Sequence, residues 1–194
     1  MPQAQEADEV LVARAQRGDL AAFGLLVERH QDALINGIYR MVGHREDAED
    51  LAQEAFVKAY RGIKGFEGRS SLYTWLYSIA INLVISHRRK TGSRRHLNPV
   101  SLHESADEDG RGFDVQDGLE RPEAAAERHE LRERIEDAID QLDDEYRRVV
   151  VMRDIEGFDY RTIARLLGCP QGTVKSRLHR ARLALRDQLK DLVV

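Results

Sequence analysis

The sequence predicts an all-α fold with two small helical domains joined by a flexible acidic linker, the C-terminal domain containing a helix-turn-helix. Apolar residues recur at spacings of three and four over most of the chain, the period of an amphipathic helix, and no segment alternates as a strand does. Residues 97–122 lack this periodicity and carry seven acids against two bases. Such polar, charged stretches are typical of linkers. We therefore expect domains at 1–96 and 123–194, separated by the linker at 97–122.

The composition favours a cytosolic protein. Of the 194 residues, 42% are hydrophobic, and no apolar run approaches the length that spans a membrane. Cys169 is the only cysteine, which excludes an intrachain disulfide and favours a reducing compartment. The N-terminus lacks the basic and apolar stretches of a secretion signal. We therefore expect a cytoplasmic location and no membrane insertion.

The charge is unevenly distributed, and its distribution is more informative than the net value of −4. Residues 61–96 have eight bases and one acid, a net charge of +7. Residues 160–194 have eight bases and two acids, a net charge of +6. An acidic stretch precedes each basic one. The simplest interpretation is two separate contacts with a polyanion.

Three helices are predicted in the first 61 residues. The first spans 6–17 and ends at Gly18, and Asp19 caps the second, about 20–42. The third, about 46–61, has an alanine-rich apolar face and an acidic one. Acidic runs are usually solvated helix faces, and the alternative is a docking surface for a basic protein. The polar residues of this face are Glu46, Asp47, Glu49, Asp50, Gln53 and Glu54.

A loop with three glycines leads into a long helix, from Leu72 to about Lys90, which Ser70 or Ser71 caps. Aromatic rings near its start can stack on unpaired bases while cations at its end hold phosphate, the chemistry of single-strand binding. Equally, the rings can belong to the core and the cations can complement the helix dipole. The amide of Asn82 can read a base edge or satisfy backbone. The aromatic and basic residues are Tyr73, Trp75, Tyr77, His87, Arg88, Arg89 and Lys90.

After the linker, helices are predicted at about 123–141 and 143–155, and Pro122 suits the start of the first. A helix-turn-helix follows. Asp159 caps its first helix, Gly168 ends that helix, and the second helix runs from about Gln171 to Leu189. A basic helix after such a turn is typical of a reader of the DNA major groove, and the alternative is a hairpin with a solvated basic face. Its polar face carries Lys175, Arg177, His179, Arg180, Arg182 and Arg186.

The chain lacks the patterns that carry catalysis. No glycine-rich phosphate loop, zinc-spaced His/Cys cluster or nucleophile motif occurs in the sequence. The carboxylates are spread over helix faces that we expect to be solvated, rather than paired in an apolar setting. We therefore predict no enzyme, no catalytic residue, no metal and no cofactor.

Taken in order, the helices and motifs resemble those of bacterial RNA polymerase sigma factors of the extracytoplasmic-function (ECF) group, within the sigma-70 family. The resemblance covers nearly the whole chain apart from the first residues and the linker. No single motif is decisive, but their order and spacing together are highly specific. The segments that carry the resemblance are 47–60, Phe66, 73–82, Gly157 with Tyr160, and 169–182.

The resemblance implies a role for each segment. The helix at 46–61 would dock on core polymerase, which favours the docking interpretation of its acidic face. The expected core-binding residues are Asp47, Asp50, Gln53 and Glu54. The residues expected at the −10 element, as single-stranded DNA, are Phe66, Arg69, Tyr73, Trp75, Tyr77, Asn82, Arg88 and Arg89. The residues expected at the −35 element are Thr173, Lys175, Ser176, Arg177, His179, Arg180 and Arg182.

The resemblance also implies partners and a division of labour within the −35 set. Lys175, Ser176, His179 and Arg180 match base-reading positions, and Arg177 and Arg182 match phosphate contacts. The expected partners are promoter DNA, the clamp helices of the largest core subunit and the flap of the second-largest one. An anti-sigma factor is a further expected partner. The linker would run near the active-site and RNA-exit path, where its acidity mimics nucleic acid.

Two other functions remain open from the residues alone. An autonomous helix-turn-helix regulator would bind a palindrome as a dimer, but it needs a dimerisation or ligand domain where this chain has an aromatic and basic helix. A nucleic-acid enzyme such as a recombinase would need catalytic residues, and we find none in the sequence.

Overall fold

The structure is a computed structural model that describes residues 6–95 and 122–192. The chain divides into two compact units, Met1–Arg89 and Lys90–Val194, and buried apolar side chains form a core in each. Every described element is a helix. None of the described helices is long and apolar enough to cross a membrane. The predicted linker at 97–122 lies outside the described residues, except for Pro122.

The N-terminal unit is built on two helices that pack along an alanine-rich seam. The third helix contributes small residues to this seam, so its backbone lies close to the second helix. These residues are Ala48, Ala52, Ala55 and Ala59, and all four are buried. The helices are α1 (Asp8–Gln16), α2 (Leu20–Val42), α3 (Arg45–Gly62) and α4 (Leu72–Arg95), which runs past the unit boundary at Arg89, with a 3₁₀ turn at Ile63–Gly65. These bounds agree with the predicted ones to within one or two residues, except that α4 is five residues longer.

Local capping fixes where these helices begin and end. The carboxylate of Asp19 accepts a hydrogen bond from the Ala22 backbone N–H at 3.1 Å, as predicted. Ser71, rather than Ser70, caps α4, because its Oγ accepts from the Thr74 backbone N–H at 3.1 Å. Gly43 ends α2 in the left-handed region, with φ at 81°.

The C-terminal unit contains the helix-turn-helix. Its elements are α5 (Pro122–Asp140), α6 (Asp144–Val150), a π-helical segment (Val151–Ile155), α7 (Tyr160–Leu167), α8 (Gln171–Gln188) and a 3₁₀ turn at Lys190–Leu192. The turn between α7 and α8 forms as predicted. Asp159 accepts from the Thr162 backbone N–H at 2.7 Å, and Gly168 has a φ of 63°. Val174, Leu178 and Ala181 bury one side of α8.

The helix predicted at about 143–155 forms, but its second half is a π-helix instead of an α-helix. From Val151 the backbone widens into a π-helix, closed by a bond from the Glu156 N–H to the Val151 carbonyl at 2.9 Å. The Phe158 N–H then bonds to the Met152 carbonyl at 2.9 Å. Side-chain periodicity cannot distinguish this turn from an α-helical one, because the segment stays apolar and buried through Met152.

Candidate nucleic-acid interface and docking surface

The outward side of α8 is polar and is bordered by arginines. With about 100° between successive residues, Ser176 and His179 point away from the buried seam. Lys175 and Arg182 lie on one flank of that face, and Arg177 lies on the other. Ser176 and His179 are exposed, as are Lys175 and Arg182, whereas Arg177 is half-buried. A helix with such a face can present its central side chains to the base edges of a major groove and its flanking cations to the phosphates on either side.

Three of the α8 arginines have partners on α6 or the π-helical segment. Arg182 forms a two-bonded pair with Asp154, with Nε to Oδ2 at 3.1 Å and Nη2 to Oδ1 at 2.5 Å. This hydrogen bonding raises the pKa of Arg182. A hydrogen bond with the Tyr146 hydroxyl similarly raises the pKa of Arg180.

The third of these arginines is Arg177, whose Nη2 lies 2.6 Å from Oε2 of Glu145. Sequence reasoning identified the arginines but not the acids that hold them. These acids fall within a segment of net charge −7, residues 123–159, which supplies no signal about which acid faces α8.

Two cations lie near the ring of Tyr160, at the start of α7. The Arg153 guanidinium is 5.0 Å from the ring centroid, and Lys175 Nζ is 5.8 Å from it. Arg153 also donates from Nη1 to the Phe158 carbonyl at 2.9 Å. Thr173 and Ser176, both in the predicted −35 set, lie near the start of α8. The Ser176 hydroxyl donates to the Thr173 carbonyl at 3.0 Å.

A second polar face lies on α4, where Trp75, Asn82 and Arg89 follow one another at spacings of seven. Seven residues are close to two helical turns, so the three side chains lie on one stripe. Trp75 is half-buried, and Asn82 and Arg89 are exposed. The Asn82 amide donates one hydrogen to the Ser78 carbonyl at 2.8 Å. An amide has a second donor and an acceptor, so it can also read a base edge.

The aromatic residues of this region divide between surface and core. Phe66 packs on Trp75 with ring centroids 5.0 Å apart, and both rings are half-buried. Tyr73 is also half-buried. Tyr77, by contrast, is only 1% exposed and is among the largest fully buried side chains. The expectation that Tyr77 contacts single-stranded DNA is therefore wrong, because no base can reach its ring in this structure.

The loop before α4 forms one wall of a pocket of about 330 Å³. Gln16 of α1 anchors this loop, since its Nε2 donates to the carbonyls of Ile63 at 3.1 Å and Phe66 at 2.8 Å. The sequence did not predict a role for α1 here. The lining of the pocket from the loop and α4 comprises Phe66, Glu67, Gly68, Ser70, Ser71 and Leu72, and α1 supplies the opposite wall.

The remaining predicted −10 cations differ in their surroundings. Arg69 is highly exposed on the loop and pairs with Glu67 at 2.5 Å. Arg89 is exposed at the end of the stripe on α4. Arg88 instead donates to the backbone carbonyl of Met41, so its guanidinium ties α4 to the end of α2. The two exposed arginines are thus the ones best placed to meet phosphate.

Two residues of the acidic face predicted on α3, Glu49 and Gln53, line an apolar groove. Asp50, Gln53 and Glu54 are exposed, and Asp47 is half-buried beside His87, with Oδ2 to Nε2 at 3.4 Å. The groove lies between α2 and α3 and has a volume of about 390 Å³. Its most exposed apolar residues are Leu20 (65%), Val57 (44%) and Tyr60 (44%).

Sequence reasoning missed this groove because its residues come from two helices. At about 100° per residue, Val57 lies almost opposite the buried alanine seam of α3 and Tyr60 lies beyond the edge of that seam, so periodicity assigns neither to a buried face. A contiguous exposed apolar patch bordered by polar residues marks an interaction surface. Within 6–95 and 122–192, no group of three or more metal-ligating side chains is placed to hold a metal ion.

The helix-turn-helix with its basic outward face defines the C-terminal unit as a DNA-binding domain. Comparison with known proteins finds one matching family in each half of the chain. The Sigma-70 region 2 family matches residues 26–94, and the Sigma-70, region 4 family matches residues 132–185.

The RNA polymerase sigma-H factor of Pseudomonas aeruginosa is 41% identical over 97% of this chain and 97% of its own length. The ECF RNA polymerase sigma-E factor of Haemophilus influenzae is 38% identical over 97% and 98%. Among solved structures, the sigma factor RpoE of Bartonella quintana, in complex with the anti-sigma factor NepR, has a TM-score of 0.66. It is 27% identical, covering 87% of this chain and 96% of that one.

The chain therefore belongs to the ECF group of the sigma-70 family, the promoter-specificity subunits of RNA polymerase. The alternative of an autonomous helix-turn-helix regulator is not favoured, because the similarity to sigma factors extends through the N-terminal half.

Proposed function

We propose that the N-terminal unit docks on core RNA polymerase and holds the melted −10 element, while α8 reads the −35 element. The observation that carries this division is the placement of three distinct surfaces. The N-terminal unit has an apolar groove with an acidic border and a separate aromatic and basic stripe. The C-terminal unit has the basic face of α8. A tether between two such units raises the effective concentration of the second contact once the first has formed.

The docking surface is the groove between α2 and α3 together with Asp50, Gln53 and Glu54. Its proposed partner is the coiled coil of clamp helices on the largest core subunit. Exposed Leu20, with Val57 across the groove, supplies apolar area, and the acids match a basic partner. Apolar contacts supply most of the affinity, while the charges steer the encounter and fix its register.

The −10 surface is the stripe on α4 together with the adjoining loop. Trp75, packed on Phe66, offers a ring on which an unpaired base can stack, and Arg89 lies along the stripe to hold phosphate. The pocket beside the loop has room for a flipped base. A base captured by the protein cannot re-pair, so binding favours the melted state.

The −35 surface is the outward face of α8. Lys175, Ser176, His179 and Arg180 read base edges, and Arg177 and Arg182 hold phosphate at the two edges of that face. Thr173 lies at the first turn of α8, where its carbonyl accepts from Ser176. We also propose an anti-sigma factor as a partner, because the similar Bartonella quintana protein was solved in complex with one.

Reconstitution with purified core polymerase tests the function. The chain should co-elute with core in gel filtration and support run-off transcription from promoters selected out of a randomised pool. Failure to co-elute, together with tight binding of a palindrome by the chain alone, would favour an autonomous regulator instead.

Val57→Asp tests the docking groove by placing a charge on an apolar contact. Its matched control is Val10→Asp, since Val10 is equally exposed (47% against 44%) but lies outside the groove on α1. We expect Val57→Asp alone to weaken co-elution with core. Equal behaviour of the two variants would contradict the assignment of the groove.

Asn82→Ala tests the −10 surface. We expect this variant to bind core normally but to show weaker permanganate reactivity of unpaired thymines at the promoter. The control is Glu28→Ala, an exposed residue of α2 outside both N-terminal surfaces. A normal permanganate footprint with Asn82→Ala would refute a role for this amide in melting.

A further inference from the structure

The two arginines at the edges of the α8 reading face are each held by an acid, one from α6 and one from the π-helical segment that follows it. Asp154 binds Arg182 through both carboxylate oxygens, at 3.1 and 2.5 Å. Glu145 binds Arg177 at 2.6 Å. Both pairs are partly exposed, with Arg182 54% and Arg177 29% exposed. Exposed ion pairs stabilise a fold only weakly, so these two pairs contribute little to folding.

The geometry leaves the arginines able to bind a further anion. Asp154 occupies the Nε and Nη2 side of the Arg182 guanidinium, and the hydrogens of Nη1 remain on the other side. Glu145 approaches Arg177 at Nη2, with its Oε2 at 2.6 Å. A guanidinium can therefore keep its acid and bind a phosphate oxygen at the same time.

The backbone that carries Asp154 is itself held. Asp154 lies in the π-helical segment, which the Glu156 to Val151 hydrogen bond closes at 2.9 Å. The preceding residue, Arg153, is fixed by its bond to the Phe158 carbonyl at 2.9 Å. A π-turn changes the direction of the side chains that follow it, and such turns are frequent at functional sites. Here the turn supports the carboxylate that faces α8.

We propose that Asp154 and Glu145 are positioning residues that hold Arg182 and Arg177 ready for the phosphates on either side of the −35 groove. This inference depends on the proposed −35 contact. A free arginine side chain loses much rotational freedom when it binds a phosphate, whereas an arginine already held loses less. The acids thus reduce the attraction between these arginines and DNA phosphate, but they hold the arginines in the orientation that the specific complex requires.

Each acid has two effects on DNA binding, repulsion of phosphate and positioning of its arginine. They can be separated because their removal changes the affinity for DNA in opposite directions. A carboxylate near DNA repels phosphate, so its neutralisation should by itself tighten binding to any duplex. Loss of positioning should weaken binding only where the protein sits in its specific register. The selectivity between a specific and a scrambled site therefore reports positioning.

The test uses holoenzyme assembled from the full chain and core polymerase. The probes are a promoter fragment selected from a randomised −35 pool by the wild type, and the same fragment with that hexamer scrambled. The variants are Asp154→Asn and Glu145→Gln. The control is Asp187→Asn, which makes the same charge change on α8 at a highly exposed residue paired only loosely with Arg186, at 3.7 Å.

We expect Asp154→Asn to reduce selectivity for the selected fragment by about three- to tenfold, which corresponds to losing the pre-organisation of one long side chain. Glu145→Gln should also reduce selectivity, through Arg177. Asp187→Asn should leave selectivity unchanged. Equal selectivity for all four proteins would overturn the proposal, as would tightening of both probes by the same factor in Asp154→Asn.

A double variant distinguishes positioning from loss of fold. If Asp154 acts through Arg182, then adding Asp154→Asn to Arg182→Ala should change selectivity little beyond Arg182→Ala alone. Fully additive effects would refute this coupling. Thermal melting monitored by circular dichroism should show near-wild-type unfolding for each variant. If the wild type selects no −35 sequence at all, the proposed function fails, and not the positioning inference alone.

Discussion

Arg147 is the one charged side chain that the described part of the chain buries, at 6% exposure, and its replacement should destabilise the C-terminal unit. The guanidinium sits at the end of α5 and donates to several carbonyls there. Nε donates to the Ile139 carbonyl and Nη2 to the Leu142 carbonyl, each at 3.2 Å, and Nη2 also donates to the Asp140 carbonyl. Nη1 lies 2.9 Å from the Asp140 carboxylate. Arg147 thus neutralises the negative end of α5 and joins it to α6.

Arg147→Met keeps a long apolar stem but removes all of these bonds. Breaking a buried ion pair by removing one partner costs about 3–5 kcal/mol. The Asp140 side chain is 59% exposed and can be rehydrated, so we lower the expected loss to about 2–4 kcal/mol. A unit of this size has a total stability of roughly 4–10 kcal/mol. The variant should therefore fold, but with a much reduced margin.

Urea denaturation of the full chain can separate the two units. The only tryptophan, Trp75, lies in the N-terminal unit, so its fluorescence reports that unit, while circular dichroism reports helices in both. With a urea dependence of about 1 kcal/mol per molar for a small unit, the C-terminal midpoint should fall by roughly 2 M or more. The fluorescence midpoint should not move.

The control is Arg161→Met, the same change at an exposed arginine of the same unit. It should shift neither midpoint by more than a few tenths molar. The reasoning would be refuted if Arg147→Met left the circular-dichroism transition in place, or if the control produced an equal shift.

Three further predictions concern the turn, the α1–α2 contact and the reading face. Gly168→Ala should cost about 1–2 kcal/mol in the same urea assay, because φ is 63° and no atom crowds the site, so only backbone strain acts. Burial tends to raise the pKa of Asp8, but hydrogen bonds from Arg29 and His30 hold it below its ordinary value. The resulting stability is present above about pH 4 and is lost as pH falls through the folded pKa, so the fluorescence midpoints of wild type and Asp8→Asn should converge in acid. Arg180→Ala should lower affinity for the selected −35 site about 5- to 150-fold and spare the scrambled site, whereas equal loss on both would refute a base contact.

Much of the fold could be predicted because its signals are local. A cap involves residues three apart, as for Asp159 and Thr162, and a helix end needs one residue that tolerates positive φ, as at Gly168. Amphipathic periodicity then supplies the helix between them. These rules act within a few residues, so the bounds of the helix-turn-helix agree with the structure.

The site was predicted less completely, because periodicity shows which face of a helix a residue lies on but not how deeply that residue is buried. Tyr77 belongs to the same aromatic run as Tyr73 and Trp75, but two of these rings are half-buried and Tyr77 is in the core. The difference arises from about 40° of helical rotation between Tyr73 and Tyr77 and from what packs against each. Composition does not carry that information.

The sequence by itself determined the all-α class, the helix-turn-helix, the two basic stretches and the residues that present them. Only the tertiary structure decided which of those residues share a surface and which are already paired. Gln16 reaches a carbonyl 50 residues away, and Asp154 holds an arginine 28 residues away. Such contacts depend on the packing of whole helices, so no local pattern encodes them, and they are what turn a basic helix and an acidic helix into defined surfaces.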